Sequence, residues 1–273
     1  PCDITSAILS FLEHTSSFAC TCIWARDSVR RHIDETTVRV HAGDCVRTAL
    51  LASRTNGIVR LDAGIHVVAN GFEVLRSLQI LGAEDGATTL FVASECCAFA
   101  IHAPHFRMRG IAVYSGIPSA PAYHPPAIVH IARGRASLEH VVVVGHYDVG
   151  GREIPPISGV WVGLGATLRL SDSSIVGCAG PGLRTDRANA RVVRSMISFS
   201  TRGANIVARG GKLDVCDSLV CGSRGDGIAL WSGVQVDLKR TVIRDNEGCV
   251  VFNHSAASLQ TDRTNFFSGP IFR

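Results

Sequence analysis

The segment Leu168-Arg-Leu170-Ser-Asp172-Ser-Ser-Ile175-Val-Gly177 is repeated, with similar residues in place, as Leu213-Asp-Val215-Cys-Asp217-Ser-Leu-Val220-Cys-Gly222. Each copy has a short strand of alternating apolar residues, a polar kink and a second apolar peak. A third copy runs from Val236 to Ile243. Such a repeat is typical of a solenoid, in which each coil stacks on the next and shares its core.

The second apolar peaks recur at nearly constant spacing. Steps of 22, 23, 23 and 23 residues join Ile175, Ile197, Val220, Ile243 and Phe266. Upstream, we expect the series to continue through Ile80, Val113 and Val143, with longer steps that contain insertions. A third apolar strand precedes the peaks, as in Val160 to Val162, so each coil has three short strands. We predict an all-β fold, a right-handed parallel β-helix of about eight coils over residues 35–273.

The two ends of the solenoid differ. A capping helix is expected at about residues 44–56, with Asp44 as its N-cap and Asn56-Gly57 at its end. The other end, Phe266 to Phe272, offers no obvious cap. An open terminal coil pairs readily with other chains, so oligomerisation through this end and a structural role in an assembly such as a virus particle are one functional alternative.

The composition restricts the classes of function. The 273 residues are 46% hydrophobic and 18% charged, which supports a folded core. The sequence shows neither a membrane-spanning run nor a secretion signal, so an intracellular protein with reduced thiols, cytoplasmic or nuclear, is expected. The net charge of +4 is scattered along the sequence, which does not favour nucleic acid. No cysteine or histidine spacing typical of a metal site is present, and no cofactor is expected.

Residues 1–34 lie outside the repeat and carry apolar residues at helical spacing. Pro1-Cys-Asp3-Ile4-Thr-Ser-Ala-Ile8-Leu9-Ser10-Phe11-Leu12 resembles the first helix of an F-box, and Ala19-Cys-Thr-Cys22-Ile-Trp24-Ala-Arg26 is similar to the end of that motif with a shorter link between them. The resemblance implies docking onto a Skp1-like adaptor through Pro1, Ile4, Ile8, Leu9, Leu12 and Trp24. A helical lid on the solenoid is the alternative.

A second resemblance covers the start of the repeat. Ile58-Val-Arg-Leu61-Asp-Ala-Gly64-Ile-His66 and Leu78-Gln-Ile80-Leu-Gly82 resemble the first coils of pectin-lyase-like β-helix domains, which occur in carbohydrate-binding proteins, sugar hydrolases and some F-box proteins. F-box proteins with a β-helix have the same domain order. The combined resemblance implies a non-enzymatic substrate adaptor of a cullin-RING ubiquitin ligase, in which the β-helix binds the protein client.

Three insertions follow the apolar peaks, in residues 81–90, 114–127 and 144–158, and stacking is expected to place them side by side. They contain every tyrosine in the chain. The candidate client-binding residues are Tyr114, Tyr123, His124, His146, Tyr147 and Arg152. Rigid aromatic and arginine side chains favour protein recognition, but they also suit sugars. A carbohydrate-binding or polysaccharide-cleaving protein is therefore the second hypothesis.

Cleavage of a glycosidic bond needs a pair of carboxyl groups. Three residues before the apolar peaks stand Asp172, Arg194, Asp217, Arg240 and Arg263. Stacking makes this row a structural ladder of opposite charges, in which arginine keeps both aspartates ionised and unfit as general acids. The remaining catalytic candidates are the turn residues Asp226, Asp245 and Glu247. The backbone demands of a turn are the favoured explanation of these three.

Overall fold

The computed structural model of the chain describes residues 36–68, 71–84, 86–92, 97–115, 127–145, 156–254 and 257–272. In this part of the chain, short parallel strands form a β-solenoid of about nine turns. The predicted parallel β-helix with three strands per coil is confirmed. The F-box-like segment, residues 1–34, lies outside the described residues. None of the helices described is long and apolar enough to cross a membrane.

The first side of the solenoid, here called face 1, forms the first strand of most coils, and the capping helix lies between its first two strands. Its strands are β1 (Thr37–Val40), β2 (Gly57–Leu61), β5 (Leu78–Leu81), β8 (His105–Arg109), β11 (Arg135–Glu139), β14 (Thr167–Ser171), the second halves of β16 (Leu183–Val193), β18 (Ile206–Cys216) and β20 (Ile228–Lys239), and β23 (Ser258–Thr261).

The second side, face 2, follows face 1 after a tight corner. Its strands are β3 (Gly64–Val68), β6 (Thr88–Val92), β9 (Ala112–Ser115), β12 (Val142–Val144), β15 (Ser174–Val176), β17 (Met196–Ser198), β19 (Leu219–Cys221), β21 (Val242–Arg244) and β24 (Phe266–Phe267). Face 3 closes each coil. It contains β4 (Phe72–Val74), β7 (Phe99–Ile101), β10 (Ala127–Ile131), β13 (Ser158–Val162), the first halves of β16, β18 and β20, and then β22 (Val251–Asn253) and β25 (Ile271–Phe272).

The core fills the inside of the three faces because the inward residues of each strand are apolar. Val143, Ile175, Ile197, Val220 and Ile243 form one continuous inward row of face 2, and each has 0% relative exposure. A coil on its own would leave these side chains in water. Stacking removes them from water, which is the main force that holds the solenoid together.

The repeat register is confirmed in the middle of the chain and wrong at both ends. Ile243 is in register with Phe267, so Phe266 points outward and is 58% exposed. Ile80 lies on face 1, where it faces Val59 and Met108. Leu90 takes its expected place on face 2, beside Val113. The sequence pattern assigned Ile80 to face 2 because its strand has the same apolar alternation as a face 2 strand.

The corner between faces 1 and 2 explains the polar kink of the repeat. Asp172, Arg194, Asp217 and Arg240 all have positive φ, between 46° and 52°, and turn the chain sharply. The next residue in each coil is a serine or threonine with a buried side chain. The hydroxyl of Ser195 accepts a hydrogen bond from the backbone N–H of Ser173 at 3.2 Å, and Ser218 does the same for Ser195. The row therefore satisfies backbone donors that the strands leave unpaired.

A short helix, α1 (Val46–Ala52), packs against β1 and β3 at the first coil. It is shorter than the predicted 44–56, and its N-cap is Cys45, whose side chain makes no capping hydrogen bond to the helix backbone. Asp44 instead accepts a hydrogen bond from the backbone N–H of His41 at 2.9 Å. The last carbonyls are satisfied by Arg76, whose guanidinium donates to Leu50 and Leu51. An arginine from the next coil thus replaces the predicted Asn56-Gly57 stop.

Candidate functional site

The outer side of face 3 carries two rows of aromatic and charged side chains. In the first row, His130, Trp161 and Arg184 occupy neighbouring coils in register. In the second row, two residues further along each strand, Asp186 is followed by Arg209 and Trp231. Inward residues such as Val160 and Val162 flank Trp161 and anchor it to the core. The alternation of the strand therefore directs these polar and aromatic groups to solvent.

The Trp161 side chain is held rigidly. Its indole ring stacks on the His130 ring with centroids 4.2 Å apart and an interplanar angle of 11°. From the following coil, the Arg184 guanidinium lies 5.1 Å from the indole centroid. The indole Nε1 donates to the Asp186 carboxylate at 2.7 Å, and Arg184 Nε donates to the same oxygen at 2.8 Å. Both ring faces and the only polar atom of Trp161 are thus engaged within the protein.

Trp231 stands in a similar stack whose two partners are exposed. Its ring lies 4.1 Å from the His254 ring, and the Arg209 guanidinium lies 5.0 Å from its centroid on the neighbouring coil. Arg209 and His254 are both exposed, and no ion pair holds Arg209 among the described residues. The indole Nε1 of Trp231 has no hydrogen-bond partner in the same part of the chain.

A shallow groove passes beside Trp231. Its walls come from four neighbouring coils at the corner between faces 3 and 1, and it is lined by Leu164, Asp186, Arg187, Arg209, Gly210 and Trp231. Leu164 is 69% exposed and supplies an apolar edge. The groove thus combines an aromatic ring, two guanidinium groups and a carboxylate. This combination can hold a neutral or weakly charged molecule that offers both hydroxyl groups and apolar C–H surface.

The predicted client-binding residues fall mostly outside the described residues. Tyr123, His124, His146, Tyr147 and Arg152 are in this class, and so are the predicted adaptor-binding residues Pro1, Ile4, Ile8, Leu9, Leu12 and Trp24. Tyr114 lies in β9, where it is 39% exposed and stands in register with Phe91 of face 2. The loop at 81–90 joins face 1 to face 2, whereas residues 114–127 and 144–158 lead from face 2 to face 3. The first insertion therefore does not share an edge with the other two.

The structure places the three catalytic candidates in the turns between faces 2 and 3. Asp226 accepts a hydrogen bond from the backbone N–H of Cys249 at 2.7 Å, so its carboxylate supports the turn of the next coil. Asp245 has a positive φ of 57° and lies 3.4 Å from the Arg244 guanidinium. Glu247 is exposed. Among the described residues, no three His, Cys, Asp or Glu side chains form a group that could hold a metal ion.

The charge ladder is present and paired. Arg194 donates two hydrogen bonds of 2.7 Å to the Asp172 carboxylate, and Arg240 makes a similar pair with Asp217. The hydrogen bond from each arginine holds the pKa of its partner carboxyl below the ordinary value. These aspartates stay ionised, as expected for a structural row. Thr264 rather than Arg263 follows Arg240, because the last coil is shifted by one residue.

Sequence reasoning missed Trp161 and Trp231. Both lie in apolar runs, Val160-Trp-Val162 and Leu230-Trp231, and such runs are typical of core strands. A signal was available, because the strict alternation of a strand assigns Trp161 to the side opposite its two valine neighbours. The partners Asp186 and Arg209 lie on other coils, and only the stacking register brings them to the tryptophans.

Comparisons with known proteins support the class of the fold, the right-handed parallel β-helix. The chain is similar to the catalytic unit of the thermostable GH87 α-1,3-glucanase from Streptomyces thermodiastaticus strain HF3-3, with a TM-score of 0.58 and 14% sequence identity over 80% of this chain. The match covers 41% of the glucanase chain, so this chain spans about two fifths of its length. The A-module of the mannuronan C-5 epimerase AlgE6 from Azotobacter vinelandii matches with a TM-score of 0.38 and 14% identity over 88% of this chain and 99% of the module, and this weaker superposition adds nothing to the fold assignment. No family model and no curated protein sequence matches the chain.

Proposed function

We propose that this chain binds a polysaccharide along the outer side of face 3, with Trp231 as the principal contact. The observation that carries the proposal is the groove beside Trp231, where a displaceable arginine covers the indole face and Asp186 and Arg187 line the walls. Sugar rings have an apolar C–H side that fits an aromatic ring, and hydroxyl groups that fit charged planar side chains. The Streptomyces protein with the same fold is a glucanase, which agrees with a glycan as the ligand.

The two stacks of face 3 have different roles in this proposal. Trp161 is enclosed by His130 and Arg184 and hydrogen-bonded to Asp186, so it builds a rigid wall. Trp231 keeps a free indole N–H among the described residues and one face behind exposed Arg209. A sugar that displaces Arg209 gains the indole face, while the guanidinium stays within reach of its hydroxyl groups. The ligand therefore crosses several coils rather than entering a closed pocket.

The experiment is a binding measurement with a panel of neutral polysaccharides and their oligosaccharides, using affinity electrophoresis and calorimetry. Trp231→Ala is expected to weaken binding at least tenfold, about 1.4 kcal/mol. Phe199→Ala is the matched control, since Phe199 is an exposed aromatic residue, 47% accessible, outside the groove. Equal affinity of the Trp231→Ala variant and the unmodified chain, or no binding to any glycan, would contradict the proposal.

Cleavage of a glycan is the finer version of this function, and it would use Asp226, Asp245 and Glu247, which lie at the other edge of face 3 from the Trp231 groove. The test is the release of reducing ends by the intact chain and by Asp245→Asn. Asp245 is exposed and its main partner is Arg244, so this variant leaves the core unchanged. Activity lost only in the variant would support an enzymatic role, whereas binding without any release of reducing ends would support a binding protein.

The adaptor hypothesis depends on residues 1–34 and stays a prediction from the sequence. Affinity capture from a eukaryotic lysate tests it with the intact chain and a version that lacks residues 1–34. Capture of a Skp1-like protein and a cullin by the intact chain alone would support the F-box interpretation. Leu9→Asp should then abolish capture, since a charge would interrupt the apolar side of the predicted helix.

A further inference from the structure

The outer side of face 1 gathers arginines that are dispersed in the sequence. Between β1 and the second half of β16, seven outward positions of the described strands hold arginine: Arg39, Arg60, Arg107, Arg109, Arg135, Arg169 and Arg191. Glu139 is the one acidic residue at an outward position of the same strands. The expectation that the positive charge is scattered is therefore wrong for the folded chain, because stacking aligns residues that are 20 or more positions apart.

Arginines stand next to each other on this face. Arg39 is in register with Arg60, and Arg169 is in register with Arg191. Like charges on directly opposed residues disfavour strand pairing. Among the described residues, these four side chains make neither an ion pair nor a hydrogen bond. At the corner between faces 1 and 2, by contrast, the charges are paired, as Arg194 is with Asp172.

The positive surface has a defined limit along the solenoid axis. In the next coils of face 1, Lys212 pairs with Asp214 at 3.1 Å, and Lys239 pairs with Asp237 at 2.6 Å. These pairs neutralise the last third of the face. In the first seven coils of face 1, Arg107 forms an ion pair with Glu139. Partial burial acts to raise the pKa of the Glu139 carboxyl, but the effect of Arg107 outweighs it. The pKa is therefore lowered, and Glu139 stays ionised. Six of the seven arginines, all except Arg107, thus lack an ion pair among the described residues, and one of the six, Arg191, stands in register with Asp214 on the next coil.

We propose that face 1 binds a polyanionic polysaccharide, a chain that bears carboxylate or sulfate groups. Two shallow grooves carry the contacts: His105, Arg107, Arg135 and Arg169 line one, and Arg60 and Arg109 line the other beside His140. Guanidinium groups bind such oxyanions with paired hydrogen bonds. Neighbouring coils present them about 4.8 Å apart. The arginines occupy three rows of the face, some on adjacent coils and some on alternate coils, so an extended polymer with a charge on each repeating unit can meet several of them.

A polysaccharide fits this surface better than a single-stranded nucleic acid, and the DNA arm of the test below covers the other case. Proteins that bind single-stranded nucleic acid combine basic grooves with aromatic side chains on which the bases stack. The outward positions of face 1 that the structure describes carry no aromatic residue other than His105. The inference is independent of the proposed site on face 3, because the two sites use different sides of the solenoid and different chemistry.

The test is the affinity of the full chain for dextran sulfate and polygalacturonate, with neutral dextran and a DNA oligonucleotide in parallel arms, over a series of salt concentrations. Arg169→Gln with Arg191→Gln is expected to weaken binding to both polyanions at least tenfold at low salt. The dependence of log K on log salt should become less steep in this variant, because fewer condensed counterions are released on binding. Arg224→Gln with Arg263→Gln removes the same charge from exposed positions outside faces 1 and 3, and it should change affinity less than twofold.

A second variant separates binding from folding. Arg169→Glu creates an opposite-charge pair with Arg191, so the thermal midpoint should stay constant or rise while polyanion binding is lost. A fall in thermal stability without a loss of binding would show that Arg169 is structural and would overturn the inference. Equal loss in the Arg224/Arg263 control, loss only with Trp231→Ala, or tighter binding of DNA than of either polysaccharide would also overturn it. Trp231→Ala affects the proposed function alone, so the two failures are distinguishable.

Discussion

The guanidinium of Arg194 and the carboxylate of Asp172 lie on neighbouring coils and are joined by two hydrogen bonds of 2.7 Å each. Both residues have left-handed backbone conformations, with φ of 47° and 51°. One position in each coil therefore does two things: it turns the chain between faces 1 and 2, and it presents a charge to the coil beside it. The 22-residue and 23-residue periods in the sequence keep this position in register.

The paired aspartates make stability depend on pH. The pKa values of Asp172 and Asp217 are lowered in the folded chain by their arginine partners, so ionisation favours folding. This stabilisation is complete above the pKa of an unfolded aspartate, about 4, and is lost as the pH falls through the folded pKa. Asp172→Asn with Asp217→Asn should flatten the acid side of the stability curve, measured by urea unfolding from neutral pH downward. Glu73→Gln, which removes an exposed carboxylate on face 3, should leave the curve unchanged.

Close backbone contact makes Gly211 sensitive to substitution. Its φ is 75°, and a Cβ at this position would lie 2.1 Å from the carbonyl oxygen of Ala188 on the previous coil. Gly165 has a similar φ of 72° but open space around it. We expect Gly165→Ala to cost about 1–2 kcal/mol for the left-handed conformation alone. Gly211→Ala should cost clearly more in urea unfolding, and equal losses would contradict the close stacking of these coils.

The buried hydroxyl row predicts a specific loss of stability. Ser195 Oγ accepts from the N–H of Ser173 and donates to the carbonyl of Val193 at 2.8 Å. Ser195→Ala leaves the N–H without its partner, so we expect a loss of about 1–3 kcal/mol in the free energy of unfolding. Ser174→Ala is the control in the same corner, because Ser174 is only half-buried and its hydroxyl makes no described hydrogen bond. It should change stability by less than about 0.5 kcal/mol.

Two cysteines should differ widely in reactivity. Burial raises the pKa of the Cys178 thiol to about 12, and this side chain is 1% exposed. Cys45 is exposed at the start of α1, where a hydrogen bond with the Thr48 side chain lowers its thiol pKa. Alkylation of the native chain, followed by peptide mapping, should modify Cys45 quickly and Cys178 only after unfolding. Rapid native labelling of Cys178 would show that the coil around it opens.

Sequence patterns predicted the core beneath the candidate site but not the outward side chains that form it. Alternation predicted the inward row of Ile175, Ile197 and Val220, because burial requires apolar residues at those positions. The outward positions carry no such constraint, so the sequence pattern did not distinguish Trp161 from its apolar neighbours. The pairing of Trp161 with Asp186 joins residues 25 positions apart. It depends on the register of coils whose turns differ in length, and the shift at Phe266 shows how one extra residue changes that register.

The parallel β-helix, the three strands per coil and the charged row at one corner could all be predicted from the amino-acid sequence. This was possible because repeated burial and repeated turns require the same residue types at the same interval. Which outward side chains come into contact depends on the tertiary structure. It stacked Trp231 between Arg209 and His254, and it brought Arg39 beside Arg60. These contacts join separate coils at one strand spacing, so they follow from the exact length of each turn, which the apolar period alone does not fix.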